Sequence, residues 1–258
     1  MSPERSVILC PIVDAAAYDF IFEREHQHWW FRARRELIAR TVTRFVPDGA
    51  PFLDVGCGTG SLLERLGRAV EPWGLDPSAE SVARGRARGL RRLTEGGVDA
   101  IATLPQRHFA GVGFFDVLEH LDDDAGALRL AFDALRPGGV VVATVPAFRW
   151  LWSRHDEVHQ HRRRYRREEL AARLTEAGFL PELLTYYNAR LFPLVATVRL
   201  VERAFGLEAD ADTRVPPAPI NRLLERVFLS ERTRLARATT SGGFSAGLSV
   251  LAVGRRPD

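Results

Sequence analysis

Three glycines at alternate positions, Gly56, Gly58 and Gly60, follow Leu53, Asp54 and Val55 and stand directly before a helical pattern. Glycine in that spacing lets the backbone bend sharply and bring a ligand against the loop, with the amides of the helix start facing it. Asp76 ends the next apolar run, where a carboxylate can accept both hydroxyls of a ribose. The pattern is G-x-G-x-G; a dinucleotide loop wants G-x-G-x-x-G, and Ser61 occupies its third glycine position, which argues against a nicotinamide cofactor. Two other groupings could act on a substrate: Asp116, Glu119 and His120 at the end of a later apolar run, and the stretch from Arg149 to Tyr165.

The first grouping has two readings. Its carboxylates and imidazole orient a loop and contact substrate, or Asp116, Glu119 and His120 converge on a divalent metal such as magnesium; the metal is the less favoured, because the short Asp116 changes the reach of one ligand. The second grouping sets His155, His159 and His161 among arginines. A neutral histidine can take a proton from an acceptor, so His120 and His161 are candidate bases, with His155 paired to Asp156 as an alternative. Arg149, Arg163 and Arg164 carry guanidinium forks that match carboxylates and phosphates. The plain alternative is a solvated basic loop, and a zinc site from the three histidines is disfavoured because no thiolate accompanies them.

These residues need elements to hold them. The stretch from Tyr18 to Phe45 predicts two helices, stopped by Pro47, Asp48 and Gly49. Short apolar runs then alternate with charged helical stretches, the pattern of a parallel sheet covered by helices. The predicted strands are Pro51 to Val55, Ala69 to Asp76, Leu90 to Thr94, Phe109 to Asp116, Gly139 to Val145, a segment near Leu183 to Tyr187, and Leu248 to Val253. Helices are predicted over Gly60 to Leu66, Ser78 to Arg88, Asp123 to Leu135 and Glu168 to Ala177, with Arg136 to Gly139 forming a turn before the fifth strand. The expected architecture is α/β: a Rossmann-like, mostly parallel seven-stranded sheet flanked by helices. Residues 1–48 form an N-terminal helical cap, 49–190 and 240–258 the core, and 191–239 a helical insert between the last two strands, stiffened by Pro216, Pro217 and Pro219.

With this context, the run LDVGCGTG from Leu53 to Gly60 resembles the first motif of class I S-adenosylmethionine-dependent methyltransferases. The resemblance continues through GLDPS at Gly74 to Ser78, Leu104 and Pro105, FDVLEHL at Phe115 to Leu121, and LRPGGVVVATVPA at Leu135 to Ala147. It implies that Asp54, Gly56 and Gly58 meet the methionine part of the cofactor, that Asp76 holds the ribose, that Asp99 and Ala100 flank the adenine, and that Gly60 and Asp116 complete the set. Ala110 stands where most relatives carry an aspartate. The acid-x-x-Glu-His run at Asp116 to His120 is similar to that of ubiquinone O-methyltransferases and small-RNA 3′-end methyltransferases, where a divalent cation holds the acceptor. LWS-x-HD and H-x-RRY, matched from Leu151 to Tyr165, resemble a bacterial subgroup signature, with Gln160 in place of its glycine; HWWFRARRELI from His28 resembles the opening of that subgroup. Trp30 and Tyr165 join the candidate substrate residues on this basis. Trp29, Trp30 and Phe31 either pack within the helix or cover the acceptor.

Composition bounds the rest. The chain has 258 residues, 46% apolar and 27% charged, which suits a globular core and excludes a disordered or fibrous chain. Its 36 basic residues are all arginine and nearly cancel 33 acids, leaving +3, so no polyanion-binding footprint covers the whole molecule and nucleic acid is not an expected partner. Seven arginines against two acids lie between Arg149 and Arg167, so the basic excess is concentrated in one loop. Two cysteines, Cys10 and Cys57, build no disulfide framework, and the first residues do not read as a secretory signal, so a reducing, cytoplasmic setting is expected. The run Leu191 to Val198 is broken by Pro193 and too short to span a bilayer. The insert face Leu223, Leu224, Val227, Phe228 and Leu229 packs in the core, caps an acceptor, joins a dimer or touches a membrane surface; monomer and homodimer both stay open. The expected function is methylation from S-adenosylmethionine, to oxygen on a small metabolite, anionic if the arginines hold it. N- or C-methylation, a quinone, lipid-linked sugar or RNA-end acceptor, and a cofactor-binding scaffold are the alternatives.

Overall fold

The computed structural model describes residue 22 and residues 24–205 and 215–258. Residues 18–21 and 23 of the first expected N-terminal helix, Cys10, and residues 206–214 of the expected insert lie outside the described residues, while Trp29, Trp30 and Phe31, expected in that first helix, open the same helix that carries Leu37, Ile38 and Val42. The second helix, α1, runs Trp29–Phe45 and buries Leu37, Ile38 and Val42 at helical spacing; its N-cap His28 accepts from the Trp30 amide.

Five strands follow in parallel: β1 Pro51–Val55, β2 Glu71–Asp76, β3 Leu93–Glu95, β4 Phe109–Phe115 and β5 Leu135–Pro146. Helices α2 Ser61–Leu66, α3 Ala79–Ala87 and α4 Asp124–Ala134 connect them. Then come α5 Arg154–Val158, α6 Arg167–Glu176, β6 Leu180–Tyr187, α7 Phe192–Phe205, α8 Ala218–Leu229, α9 Arg232–Leu235 and β7 Ser249–Arg255. The seven strands form one sheet in the order β3-β2-β1-β4-β5-β7-β6. β7 is antiparallel to both of its neighbours and separates β5 from β6.

The sheet is apolar on both faces, as strands covered by helices on each side must be. Val112, Phe114, Val141 and Ala143 pack with Leu128 and Leu174 on one face; Phe52, Val140, Val142 and Leu251 pack with Ile38 and Val42 on the other. Ala110, where an aspartate is usual among relatives, is buried in this second cluster.

Two local readings change. The run from Arg136 to Gly139 does not end in a free turn: Leu135 already pairs with Phe109, and a bulge between that pair and Gly111↔Val140 absorbs the Pro-Gly-Gly segment, so β5 begins earlier. The basic stretch after β5 is not all loop, because Ser153 and Asp156 form a capping box that starts α5.

The helices of the insert do not behave alike. α8 lies along α1, where Asn221 accepts from the Trp29 amide at 2.9 Å and donates to the Gln27 carbonyl at 2.8 Å. Phe228, fully buried, meets the rings of Trp29 and Tyr187. Leu223, expected on the same inward face, points out and is 61% exposed, because Asn221 and Phe228 set the buried side of α8.

Candidate functional site

The glycine loop leaves β1 with Gly56, Gly58 and Gly60 all at positive φ. A β-carbon at Gly56 would lie 2.6 Å from Val117 Cγ2, whereas at Gly58 it would meet nothing within 4 Å. Gly58 therefore borders open space on the side a ligand would occupy, and its conformation alone demands glycine. Its amide donates to Asp76 Oδ2 at 2.7 Å, and the Ser78 amide donates to Asp76 Oδ1 at 2.9 Å. Burial raises the Asp76 carboxyl against these two amide bonds.

Asp54, one residue before the end of β1, is 3% exposed, and its Oδ1 has no hydrogen-bond partner. Burial pushes its pKa up to about 8 against the pull of the Arg34 guanidinium. Arg34 reaches in from α1 and pairs with Asp116 Oδ2 at 2.6 Å, and its buried Nε has no partner. Asp116, at φ 60°, also accepts from Thr144 Oγ1 at 3.2 Å. Over the loop, the buried Glu25 accepts from Thr59 Oγ1 at 2.9 Å and pairs with Arg88.

Beyond Asp116 lies a cluster of buried and half-buried titratable side chains. Glu119 is fully buried, neither of its carboxylate oxygens has a partner, and burial together with Asp116 holds its carboxyl well above the usual range. The His120 and His161 rings stand 4.7 Å apart, edge to face. Burial and His161 push the His120 pKa down to about 3, and its buried Nδ1 has no partner. His161 Nδ1 meets Asp156 Oδ1 at 2.8 Å. The fully buried Asp156 is also clasped by Arg164, at 2.7 and 2.9 Å, and accepts from the Ser153 amide. The guanidinium and imidazole hold its carboxyl well below the ordinary range despite the cost of burial. His155 and His159 flank the cluster, with ring centroids 5.8 and 6.1 Å from that of His161.

Residues 27–182 match the model of a family described as a methyltransferase domain, which is more than half of the chain. The chain belongs to the methyltransferase domain family. A probable S-adenosylmethionine-dependent methyltransferase of Mycolicibacterium smegmatis is 35% identical over 46% of this chain and 46% of its own. A ubiquinone biosynthesis O-methyltransferase of Xanthomonas axonopodis is 36% identical over 37% of this chain and 43% of its own, and a trans-aconitate 2-methyltransferase of Deinococcus radiodurans 31% over 47% and 48%. The chain thus spans about half the length, or less, of these curated relatives. Among solved structures, a chain from the complex between the Haloferax volcanii Trm112 methyltransferase activator and the putative methyltransferase superposes with a TM-score of 0.60 at 18% identity, covering 94% of this chain and 95% of its own. The [4+2]-cyclase SpnF superposes at 0.57 and 22%, over 94% and 95%. These likenesses show the Rossmann-like methyltransferase fold.

The residues of this chain fit S-adenosylmethionine, the cofactor in the name of the Mycolicibacterium relative. The orphaned Asp54 Oδ1 offers an acceptor to an ammonium, the open side of Gly58 admits a ligand, and each Asp76 oxygen keeps a second lone pair for a hydroxyl. Asp99 and Ala100 sit on the short 3-10 helix Val98–Thr103 that follows β3, Asp99 exposed and Ala100 half-buried.

Several expected substrate residues have other work. Arg163 donates to the carbonyls of Leu121 and Asp122 and pairs with Asp124; Arg164 is engaged with Asp156 and the Ala147 carbonyl. The Tyr165 hydroxyl is buried on Asp124 at 2.8 Å. Arg149 stays exposed at the edge. Trp30 is half-buried, with the Arg34 guanidinium 5.2 Å from its ring centroid. Asp156, read as a partner for His155, serves His161. The expected metal trio also changes: among the described residues Glu119, His120 and His161 come together, while Asp116 is turned toward Arg34 and Thr144. Sequence reasoning missed Arg34 and Glu25. Arg34 stands in an arginine-rich helix whose periodicity does not mark one arginine as inward, and beside its neighbour His26 Glu25 meets Thr59 and Arg88, 34 and 63 residues away.

Proposed function

We propose that this protein transfers the methyl group of S-adenosylmethionine to an oxygen of a small, anionic acceptor. The observation that carries the reading is the cluster of Glu119, His120 and His161 in the segments that follow Asp116, where buried Glu119 oxygens and His120 Nδ1 have no partner. When bound, the cofactor supplies a sulfonium leaving group, so the protein's tasks are alignment and removal of the acceptor's proton.

Asp54 would hold the cofactor's ammonium, Arg34 its carboxylate and Asp76 its ribose hydroxyls. Arg34 suits a carboxylate because its buried Nε donor has no partner. Acceptor deprotonation falls to this cluster, where Asp156 fixes the ring of His161 and desolvation keeps His120 neutral. Exposed Arg149 supports an anionic acceptor, as does the relative named for trans-aconitate. The relatives named for ubiquinone keep a greasier acceptor as the second reading. A methylating role in the cytoplasm, with residues 1–48 as a lid or cap and the insert 191–239 as a cap or interface, completes the proposal. No helix among the described residues is long and apolar enough to cross a membrane.

Incubating the protein and methyl-labelled S-adenosylmethionine with a metabolite extract tests this. We expect label in an O-methyl product, no transfer by Asp76→Ala, and a drop of about 10²–10⁴-fold in kcat for His161→Ala with cofactor affinity retained. Cofactor binding without transfer to any extract component would leave a scaffold instead.

A further inference from the structure

Five arginines converge on a cleft of about 340 Å³ between α1, α2 and the α8–α9 pair: Arg32, Arg35 and Arg40 from α1, Arg65 from α2 and Arg232 from α9. Two glutamates, Glu36 and Glu225, line it with them. The lining therefore keeps three positive charges in excess, as many as the whole chain carries.

Both glutamates are already committed. Glu36 is held by two guanidiniums, Arg40 at 2.7 Å and Arg65 at 2.6 and 2.8 Å, and Glu225 pairs with Arg32 at 3.0 Å. Arg35 and Arg232 make no ion pair among the described residues; the Arg35 guanidinium donates instead to the Glu25 carbonyl at 3.1 Å. Burial lowers the Arg35 pKa, Glu25 opposes this, and the guanidiniums of Arg88 and Arg32 add to it. Arginines crowded together with too few acids repel one another, and an anion placed among them relieves that repulsion.

We propose that this cleft binds a diphosphate group, at a place separate from the methyl-transfer site. A guanidinium presents paired donors to phosphate oxygens, and several of them facing one cleft suit a ligand with more than one phosphate. A diphosphate carries about three negative charges near neutral pH, which matches the excess of the lining. A second cleft, of about 390 Å³, shares Arg40 and Arg232 with the first and is lined also by Leu37, Thr41, Leu235 and Ala236. Its apolar walls give room to an organic group carried on the diphosphate. Neither cleft takes a residue from the glycine loop or from the cluster of Glu119, His120 and His161. Occupancy would tie α1 to α2 and α9 without touching either.

The test is calorimetry on the full chain at low ionic strength, with inorganic diphosphate and adenosine diphosphate as probes and orthophosphate and sulfate as controls. We expect one equivalent of each diphosphate probe, bound at least about tenfold tighter than either control and weakening as sodium chloride is raised. Arg35→Gln and Arg232→Gln should each weaken binding at least about tenfold, and Arg149→Gln, in the basic stretch beyond β5, should leave it unchanged. Glu225→Gln releases Arg32 and should tighten binding about threefold, a gain that a merely structural role for these residues does not give. Circular dichroism establishes that each variant is folded, and the exposed Arg232 keeps the test decisive if Arg35→Gln unfolds the chain. Tighter binding of the nucleotide than of inorganic diphosphate places the organic group in the second cleft, and equal binding confines the ligand to the first; both support the proposal. No saturable binding, a control anion binding as tightly as the diphosphates, or binding that survives Arg232→Gln and falls in Arg149→Gln would overturn it.

Discussion

Replacing Asp54 by Asn should make the cofactor-free protein more stable, and by an amount that grows with pH. Asp54 is 3% exposed, its Oδ1 is unpartnered, and burial raises its pKa from an ordinary 3.8 to about 8. Because the folded value lies above the unfolded one, the unfolded chain loses this proton first. Stability contributed below about pH 4 is therefore lost progressively as pH rises toward 8, at up to 1.36 kcal/mol per unit. At pH 7 the carboxyl costs the fold about 4 kcal/mol relative to a group that never ionises. Asn removes that cost but buries an amide with incomplete partners, a penalty of about 1–3 kcal/mol. The net at pH 7 is a gain of about 1–3 kcal/mol, or roughly 3–10 °C in Tm for a chain of this size. At pH 5 the two effects nearly cancel. Thermal unfolding of both proteins, followed by circular dichroism at intervals from pH 5 to 9, should show the Tm difference opening between 5 and 8 and levelling above 8. Calorimetry should show that the Asn variant has lost affinity for S-adenosylmethionine. A Tm difference that stays flat over this range, or an Asn variant less stable at pH 8, would refute the assignment of Asp54 as a buried acid awaiting a cationic partner.

Gly58→Ala should fold, since a β-carbon there meets nothing within 4 Å, but a side chain at φ 53° costs about 1–2 kcal/mol and intrudes on the ligand side. We expect a small loss in Tm and at least a tenfold (about 1.4 kcal/mol) loss of cofactor affinity by calorimetry. Gln160 adopts φ 54°, the left-handed conformation that the glycine of the subgroup signature takes without strain, so Gln160→Gly should raise stability in denaturant titration by up to about 1 kcal/mol. Asn221→Ala removes two bonds between α8 and the start of α1 and should cost about 2–3 kcal/mol, with faster amide exchange at Trp29.

The parts of the fold legible in the sequence are those where local pattern and tertiary role agree. β1 lies where its apolar run ends in the glycine loop, because that strand is buried on both faces and the glycines are needed for their positive φ. The early start of β5 was hidden by Pro137, Gly138 and Gly139, which read locally as a turn and are carried in the sheet only because Phe109 offers Leu135 a partner. At the site, residue type marked the glycine loop and its positive-φ turns but not the contacts made in the basic stretch. Arg163, Arg164 and Tyr165 look like substrate residues by charge and position; the structure commits their donors to Leu121, Asp156 and Asp124. The pairing of Asp156 with His161 rather than its neighbour His155 depends on how α5 ends, since the His161 amide folds back onto the Asp156 carbonyl. No periodicity announces that reversal. Arg34 and Glu25 were invisible for a related reason: their partners are set by the packing of α1 and the preceding turn over the sheet, not by their neighbours in the chain.

The position of β7 also sets an order of assembly. The strands that carry the glycine loop, Asp76 and Asp116 are parallel neighbours made from a continuous stretch, and they can pair as they are synthesised. β6 has no place in the sheet until Ser249–Arg255 has been made, because β7 supplies its ladder on that side. During synthesis the chain therefore passes through a stage in which the nucleotide half is built while the sheet beyond β5 is open, with Val140, Val142 and Leu183 lacking their covering strand. A ribosome stalled shortly before Ser249 would hold a species with a paired parallel half and an exposed strand edge at β5, a form prone to aggregation.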